Sequence, residues 1–140
     1  MATRADTISQ TLKKVDTYSD FSTNFVKHPI TNELMVVKNE DSIKQAFKNA
    51  ILTDVFERFF NPFFGSNIRN TLFENFDPFT VEDIIRYVKL TAQQFESRIQ
   101  IINVGVTDAP DQNAYAVQVV FSIINNPDPV VINLFLKRVR

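Results

Sequence analysis

Apolar positions change period along this chain, and the changes mark its elements. In "EDSIKQAFKNAILTD" (40–54), Ile43, Ala46, Phe47, Ala50 and Ile51 follow the i, i+3, i+4, i+7, i+8 spacing of one buried helical face. Asp41 or Ser42 is suited to cap its first turn. A second stripe, Val81, Ile84, Ile85, Val88, Ala92, Phe95 and Ile99, predicts a longer helix. Thr80 with Glu82 and Asp83 reads as a capping box at its start, and Pro78 as the stop of what precedes it. Between the two lies "VFERFFNPFFGSN", aromatic but broken by Asn61-Pro62 and Gly65, which predicts a loop packed by its own rings. Ser66 or Asn67 then caps a short helix carrying Ile68, Leu72 and Phe73.

Past Arg98 the pattern becomes strand-like. "IQIINVGV", "YAVQVVFSII" and "VVINLFLKRV" are three strands, separated by the turns "APDQNA" and "NNPDP". Residues 21–38 alternate loosely around Pro29 and Asn32, as expected of a β-hairpin. The expected fold is α+β: an N-terminal β-hairpin, then two main helices and a short one packed on a C-terminal three-stranded antiparallel meander. Residues 1–20 read as a polar arm and 21–140 as a single domain, as the length of 140 residues allows.

Composition narrows the chemistry. There are no cysteines, one histidine (His28) and two glycines (Gly65 and Gly105). Thiolate chemistry and Cys-based metal sites are therefore out, a His-rich metal site is out, and glycine-rich phosphate loops are absent. No cofactor is expected. The net charge of −1 gives no field to attract nucleic acid or an anionic membrane. No apolar run is long enough to span a bilayer, and "MATRADTISQTLKKV" has no signal-peptide core. Phenylalanine is the abundant residue, 14 in all, eight of them between Phe56 and Phe79. Most of these eight are expected to be core, with part of the loop free to meet a partner.

The candidate chemistry is thin. Glycoside hydrolysis needs two facing carboxylates, and the order of Glu57, Glu74, Glu82 and Glu96 makes no evident pair. Lone His28 before Pro29 reads as a loop residue rather than a general base. Glu96 and Arg98, in "QQFESRIQII", stand where helix gives way to strand. An acid at a helix C-terminus is disfavoured without a cation, so Glu96 is a catalytic acid, half of an ion pair or part of a docking surface. The last strand, with Leu134, Leu136, Lys137, Arg138 and Arg140, is expected at a sheet edge able to take another chain's strand. Its basic residues are either gatekeepers against aggregation or guides for an acidic partner. Removing residues 130–140 is expected to leave a folded domain.

The order of "YSDF", "DSIKQAFKNAILT", "RFFNPFFGSNIRNTLFENFDPFT", "FESRI" and "FSIINNPDP" resembles the small baseplate wedge proteins, or sheath initiators, of contractile phage tails. The resemblance covers most of residues 18–140. It implies a structural protein of the virion tail baseplate, assembled in the host cytoplasm, with copies around the tail axis. It further implies binding to other wedge subunits around the hub and tube, and templating of the first ring of tail sheath. Partner-binding residues are then expected at Glu96, Arg98, Phe63, Phe64, Leu134, Leu136, Lys137, Arg138 and Arg140. A tail-associated peptidoglycan hydrolase, with Glu96 or Glu74 as the acid, is the alternative. The family's Glu-Pro-Arg stands here as Glu96-Ser97-Arg98. Without proline the helix is expected to run on through Ser97.

Overall fold

The computed structural model describes residues 18–75, 77–124 and 126–138, the side chain of Pro127 excepted. Two short strands, β1 (Ser19–Phe21) and β2 (Val36–Lys38), pair antiparallel as the expected hairpin. β1 takes in Ser19 and Asp20 from the stretch expected as arm, and residues 1–17 lie outside the described residues. Helix α1 (Glu40–Leu52) follows, then a long aromatic loop, α2 (Ile68–Thr71) and α3 (Pro78–Phe95). Strands β3 (Ile99–Ala109), β4 (Ala114–Ile123) and β5 (Asn126–Lys137) form an antiparallel meander in that spatial order. The α+β architecture is thus the one read from the sequence.

The helices cover one face of the sheet, and cross-strand pairs on that face build the core. Tyr115↔Leu136, Val117↔Leu134, Val119↔Ile132 and Phe121↔Val130 are opposite one another, and all eight are buried. α1 adds Ile43, Phe47, Ala50 and Ile51, and α3 adds Ile84, Val88 and Ala92. The rings of Phe47 and Phe121 meet edge-on at 5.8 Å. β5 therefore supplies four core residues, so a chain lacking 130–140 loses a core strand. The expectation that such a truncation stays folded is overturned.

β3 carries a bulge between Ile101 and Asn103 that the sequence reading did not anticipate. It leaves Ile102 exposed and switches the parity of the strand. Ile99 and Ile101 before it, and Val104 and Val106 after it, all pack against the core.

The helix starts also differ from expectation. α1 begins after Asn39, with Ser42 buried inside the helix rather than capping it. α3 begins at Pro78: Asp77 caps it, accepting from the Phe79 amide at 3.3 Å. Proline suits the first helical position because its fixed φ is helical and its missing N–H is not needed there. Thr80 lies inside the first turn and donates to the Asn75 carbonyl at 3.0 Å. β5 starts at Asn126, so Pro129 is a strand residue opposite Ser122 rather than a turn residue. An edge strand tolerates this, since the N–H that proline lacks is not required by a second neighbour.

Candidate functional site

Three features stand out: the turn from α3 into β3, the aromatic loop beside it, and β5 at the far edge of the sheet. The first is the turn itself. α3 stops at Phe95, Glu96 leaves the helical region with φ −133° and ψ 73°, and Ser97 and Arg98 form a turn into β3. The helix does not run through Ser97. The Ile99 amide closes the turn on the Glu96 carbonyl at 3.3 Å, and the Ile124 amide bonds the Arg98 carbonyl at 2.9 Å. These backbone bonds hold the turn without proline. Arg98 grips Glu96 with both prongs of its guanidinium, Nε to Oε1 at 2.5 Å and Nη2 to Oε2 at 2.6 Å. Glu96 is 5% exposed. That hydrogen bond, with the carboxylates of Glu96 and Asp20 and the Tyr18 phenol nearby, holds the Arg98 pKa above its ordinary value against the opposing effect of burial. The guanidinium also lies over the Tyr18 ring, 5.1 Å from its centroid, tying the turn to the start of β1.

A groove of about 510 Å³ runs beside this turn between α3 and β3, bordered by Lys89, Gln93, Glu96 and Gln100. Glu96 is the one carboxylate among the described residues that line it. Asp77, Glu82 and Asp108 instead border a separate 420 Å³ cleft beside Tyr115, a grouping that chain order did not reveal. Glu74, the other acid considered, is exposed, and its backbone carbonyl accepts from Arg138.

The second feature is the loop between Asp54 and Ser66. Its base is closed by the Ser66 amide on the Thr53 carbonyl (2.8 Å), the Ser66 hydroxyl on the Ile51 carbonyl (2.5 Å) and the Arg69–Asp54 ion pair (3.0 Å). Gly65 has φ +126°, and a Cβ there would run into the Thr53 carbonyl, so glycine is required. Phe64 is half-buried against Phe95, ring centroids 4.8 Å apart, with Arg58 stacked 3.9 Å over it. Phe56, Phe59, Phe60 and Phe63 face outward, Phe59 and Phe60 almost completely. Phe73 and Phe79 are also exposed, and Phe76 lies outside the described residues. None of the seven described rings is buried, which overturns the expectation that most are core. The aliphatic cross-strand pairs already fill that space.

The third feature is β5. Leu134 and Leu136 are each 4% exposed and belong to this chain's own core. As side chains they are not open to a partner, because they point to the helix-covered face. Lys137 is exposed. Arg138 is buried: it donates to the Leu72 carbonyl at 3.0 Å, to the Glu74 carbonyl and to Asn113 Oδ1 at 3.5 Å. It ties the segment after α2 to the end of the sheet. Arg140 lies outside the described residues. What β5 offers outward is backbone. The Arg138 amide bonds the Asn113 carbonyl at 2.9 Å, so alternate residues from there inward bond β4. Val131, Asn133, Phe135 and Lys137 turn their N–H and C=O groups to the other edge, which no strand among the described residues pairs.

The chain is similar to known proteins in sequence and in fold. The family model described as baseplate wedge protein gp25 matches residues 37–128. The baseplate wedge protein gp25 of Enterobacteria phage T4 is 34% identical over 89 residues, spanning 64% of this chain and 67% of that protein. The crystal structure of a Geobacter sulfurreducens protein described as a candidate tail lysozyme shares the fold. Its TM-score is 0.69 at 19% identity, covering 76% of this chain and 97% of that one. The matched residues include α1, the aromatic loop, the Glu96–Arg98 turn and the hairpin of β3 with β4, and on that ground the chain belongs to the gp25 family of baseplate wedge proteins of contractile phage tails.

Proposed function

We propose that this protein is a non-enzymatic subunit of the virion tail baseplate that joins wedge subunits around the tail hub and templates the first ring of sheath. The open edge of β5 is the observation that carries the reading. It presents the amides and carbonyls of Val131, Asn133, Phe135 and Lys137 in register on a strand locked into the core through its other face. Such an edge accepts an extended segment of another chain by main-chain pairing. The Phe56–Phe63 loop and the neighbouring Glu96–Arg98 turn, linked by the Phe64–Phe95 stack, form the surface for other wedge subunits. Large exposed aromatics on a tethered loop are costly to solvate unless a partner covers them.

Replacing Asn133 with proline tests the reading. It removes one outward amide and no backbone bond to β4, and costs only the exposed side-chain bond from Gln118 to Asn133 Oδ1 at 3.3 Å, so the fold should persist. Baseplates carrying Asn133→Pro are expected to assemble but not to gain sheath. Normal sheath on such baseplates contradicts strand pairing.

Hydrolysis of peptidoglycan is the second reading, favoured by the cleft that gathers Asp77, Glu82 and Asp108. Glu96 is the poorer candidate for that role, because both its oxygens are taken by Arg98. Purified protein is expected to leave peptidoglycan intact. Turnover that Asp108→Asn abolishes would establish the hydrolase instead.

A further inference from the structure

A third, smaller cleft adjoins the open edge of β5. Its volume is about 150 Å³, and it lies where the end of α1, α2 and the end of β5 meet. Phe135, Leu136 and Lys137 all border it. Successive side chains of a strand point to opposite faces, so three consecutive residues reach one cavity only along the strand's edge. One edge of this segment is occupied by β4 through Ala116↔Phe135, Tyr115↔Leu136 and Ala114↔Lys137, and no β4 residue borders the cleft. The cleft therefore opens at the other edge, beside the outward amides of Phe135 and Lys137.

Given strand pairing at β5, as proposed above, we infer that this cleft is a side-chain pocket for the incoming strand, and that the strand places a large apolar side chain in it beside Leu136. Leu52, Ile68, Leu72, Phe73 and Leu136 make the walls apolar. Asp54, Arg69 and Lys137 also line it; Asp54 and Arg69 pair with each other at 3.0 Å, and the exposed Lys137 carries its charge into water, so the cleft does not call for a charged ligand. A closed apolar cavity of about 150 Å³ has room for a benzene ring, so this open cleft has the volume for a phenylalanine, leucine, isoleucine or methionine side chain. Backbone pairing alone leaves register weakly specified, because every peptide unit looks alike. One filled pocket resolves this, since a one-residue slip turns the anchoring side chain to the opposite face of the sheet. The pocket thus sets the register in which the first sheath segment is laid down.

The test fills the pocket from within the full-length chain. Leu52, the last residue of α1, is 45% exposed, so Leu52→Trp has room to fold over the cleft without disturbing the core. Sheath recruitment to Leu52→Trp baseplates is expected to weaken about tenfold to a hundredfold, the loss of one buried apolar side chain. The melting temperature of the isolated protein and its incorporation into baseplates should match wild type. Asn133→Pro is run beside it. If Asn133→Pro blocks sheath and Leu52→Trp does not, the pocket is refuted while strand pairing stands. If neither blocks sheath, strand pairing itself fails and the pocket falls with it. If Leu52→Trp alone blocks sheath, the cleft binds something other than a paired strand, and the inference is overturned. A photo-crosslinking benzoylphenylalanine at Phe73, the exposed wall of the cleft, gives an answer independent of how Leu52→Trp folds. Capture of an extended sheath segment centred on a large apolar residue supports the pocket. Capture of a polar or helical segment, of another protein, or of nothing in sheathed tails refutes it.

Discussion

Removing the two ends of the Glu96–Arg98 pair should not cost the same, although the bond lost is the same. Glu96 is 5% exposed, whereas the Arg98 side chain keeps about a third of its surface (32%). Arg98→Ala strands a buried carboxylate and removes two charge-assisted bonds of 2.5 and 2.6 Å. One such bond contributes about 1.5–3 kcal/mol, and two to the same group do not add, so the loss should be about 2–3 kcal/mol. Glu96→Ala leaves a guanidinium that can turn into water, and the expected loss is about 1 kcal/mol. Urea unfolding of the two single variants and the double variant measures both losses and their coupling. The double variant should be close to Glu96→Ala, because with the carboxylate gone Arg98 has little left to lose. The sign with pH also follows. The Arg98 pKa is raised in the folded state, so its contribution is fully present below the ordinary guanidinium range and is lost only above the raised value. The coupling should thus stay flat through the accessible alkaline range. Equal losses from the two single variants, or less than about 0.5 kcal/mol from Arg98→Ala, would refute the view that this turn is held by a buried carboxylate and its cation.

Three further outcomes are expected. Burial raises the Tyr115 pKa, with Asp108 adding to the effect and Arg138 opposing it, so the folded state holds that proton more tightly than the unfolded chain. Stability should be insensitive to Tyr115 below about pH 10 and fall above it, and in pH-dependent thermal melts Tyr115→Phe should reduce the alkaline decline. The two glycines should respond in opposite directions: Gly65→Ala meets the Thr53 carbonyl and should cost more than about 2 kcal/mol in urea unfolding. At Gly105 an added Cβ meets nothing nearer than the Gln118 carbonyl at 4.0 Å, so Gly105→Ala should stabilise by up to about 0.5–1 kcal/mol. Phe59→Ser with Phe60→Ser should change unfolding free energy by less than about 0.5 kcal/mol each, yet lower incorporation into baseplates, measured by the amount of protein per purified particle.

Periodicity in the sequence made the two long helices and the meander legible, because each buries one continuous face. It failed where the period breaks. Ile101-Ile102 gives no sign of which isoleucine is expelled, and only pairing with Phe121 and Val120 on β4 exposes the bulge. The aromatic loop misled because phenylalanine is usually core, whereas here Phe121, Tyr115 and the aliphatic pairs leave no room for seven more rings. Arg138 was illegible for another reason. Its partners are backbone carbonyls at Leu72 and Glu74, far away in sequence, and carbonyls carry no residue-type signal. Pro78 is a subtler case, since proline both ends and begins helices. The Glu96–Arg98 pair was legible as a charge that needs a partner, but not as a turn, because i and i+2 meet only once the helix has ended.

The central claim is that β5 completes its pairing with a strand from the first sheath ring. A reconstruction of the sheathed baseplate at a resolution that traces backbone tests it most directly. An extended sheath segment is expected about 4.8 Å from β5, bonded to Val131, Asn133, Phe135 and Lys137. A sheath ring seated elsewhere on the protein, with that edge of β5 still facing water, would contradict it.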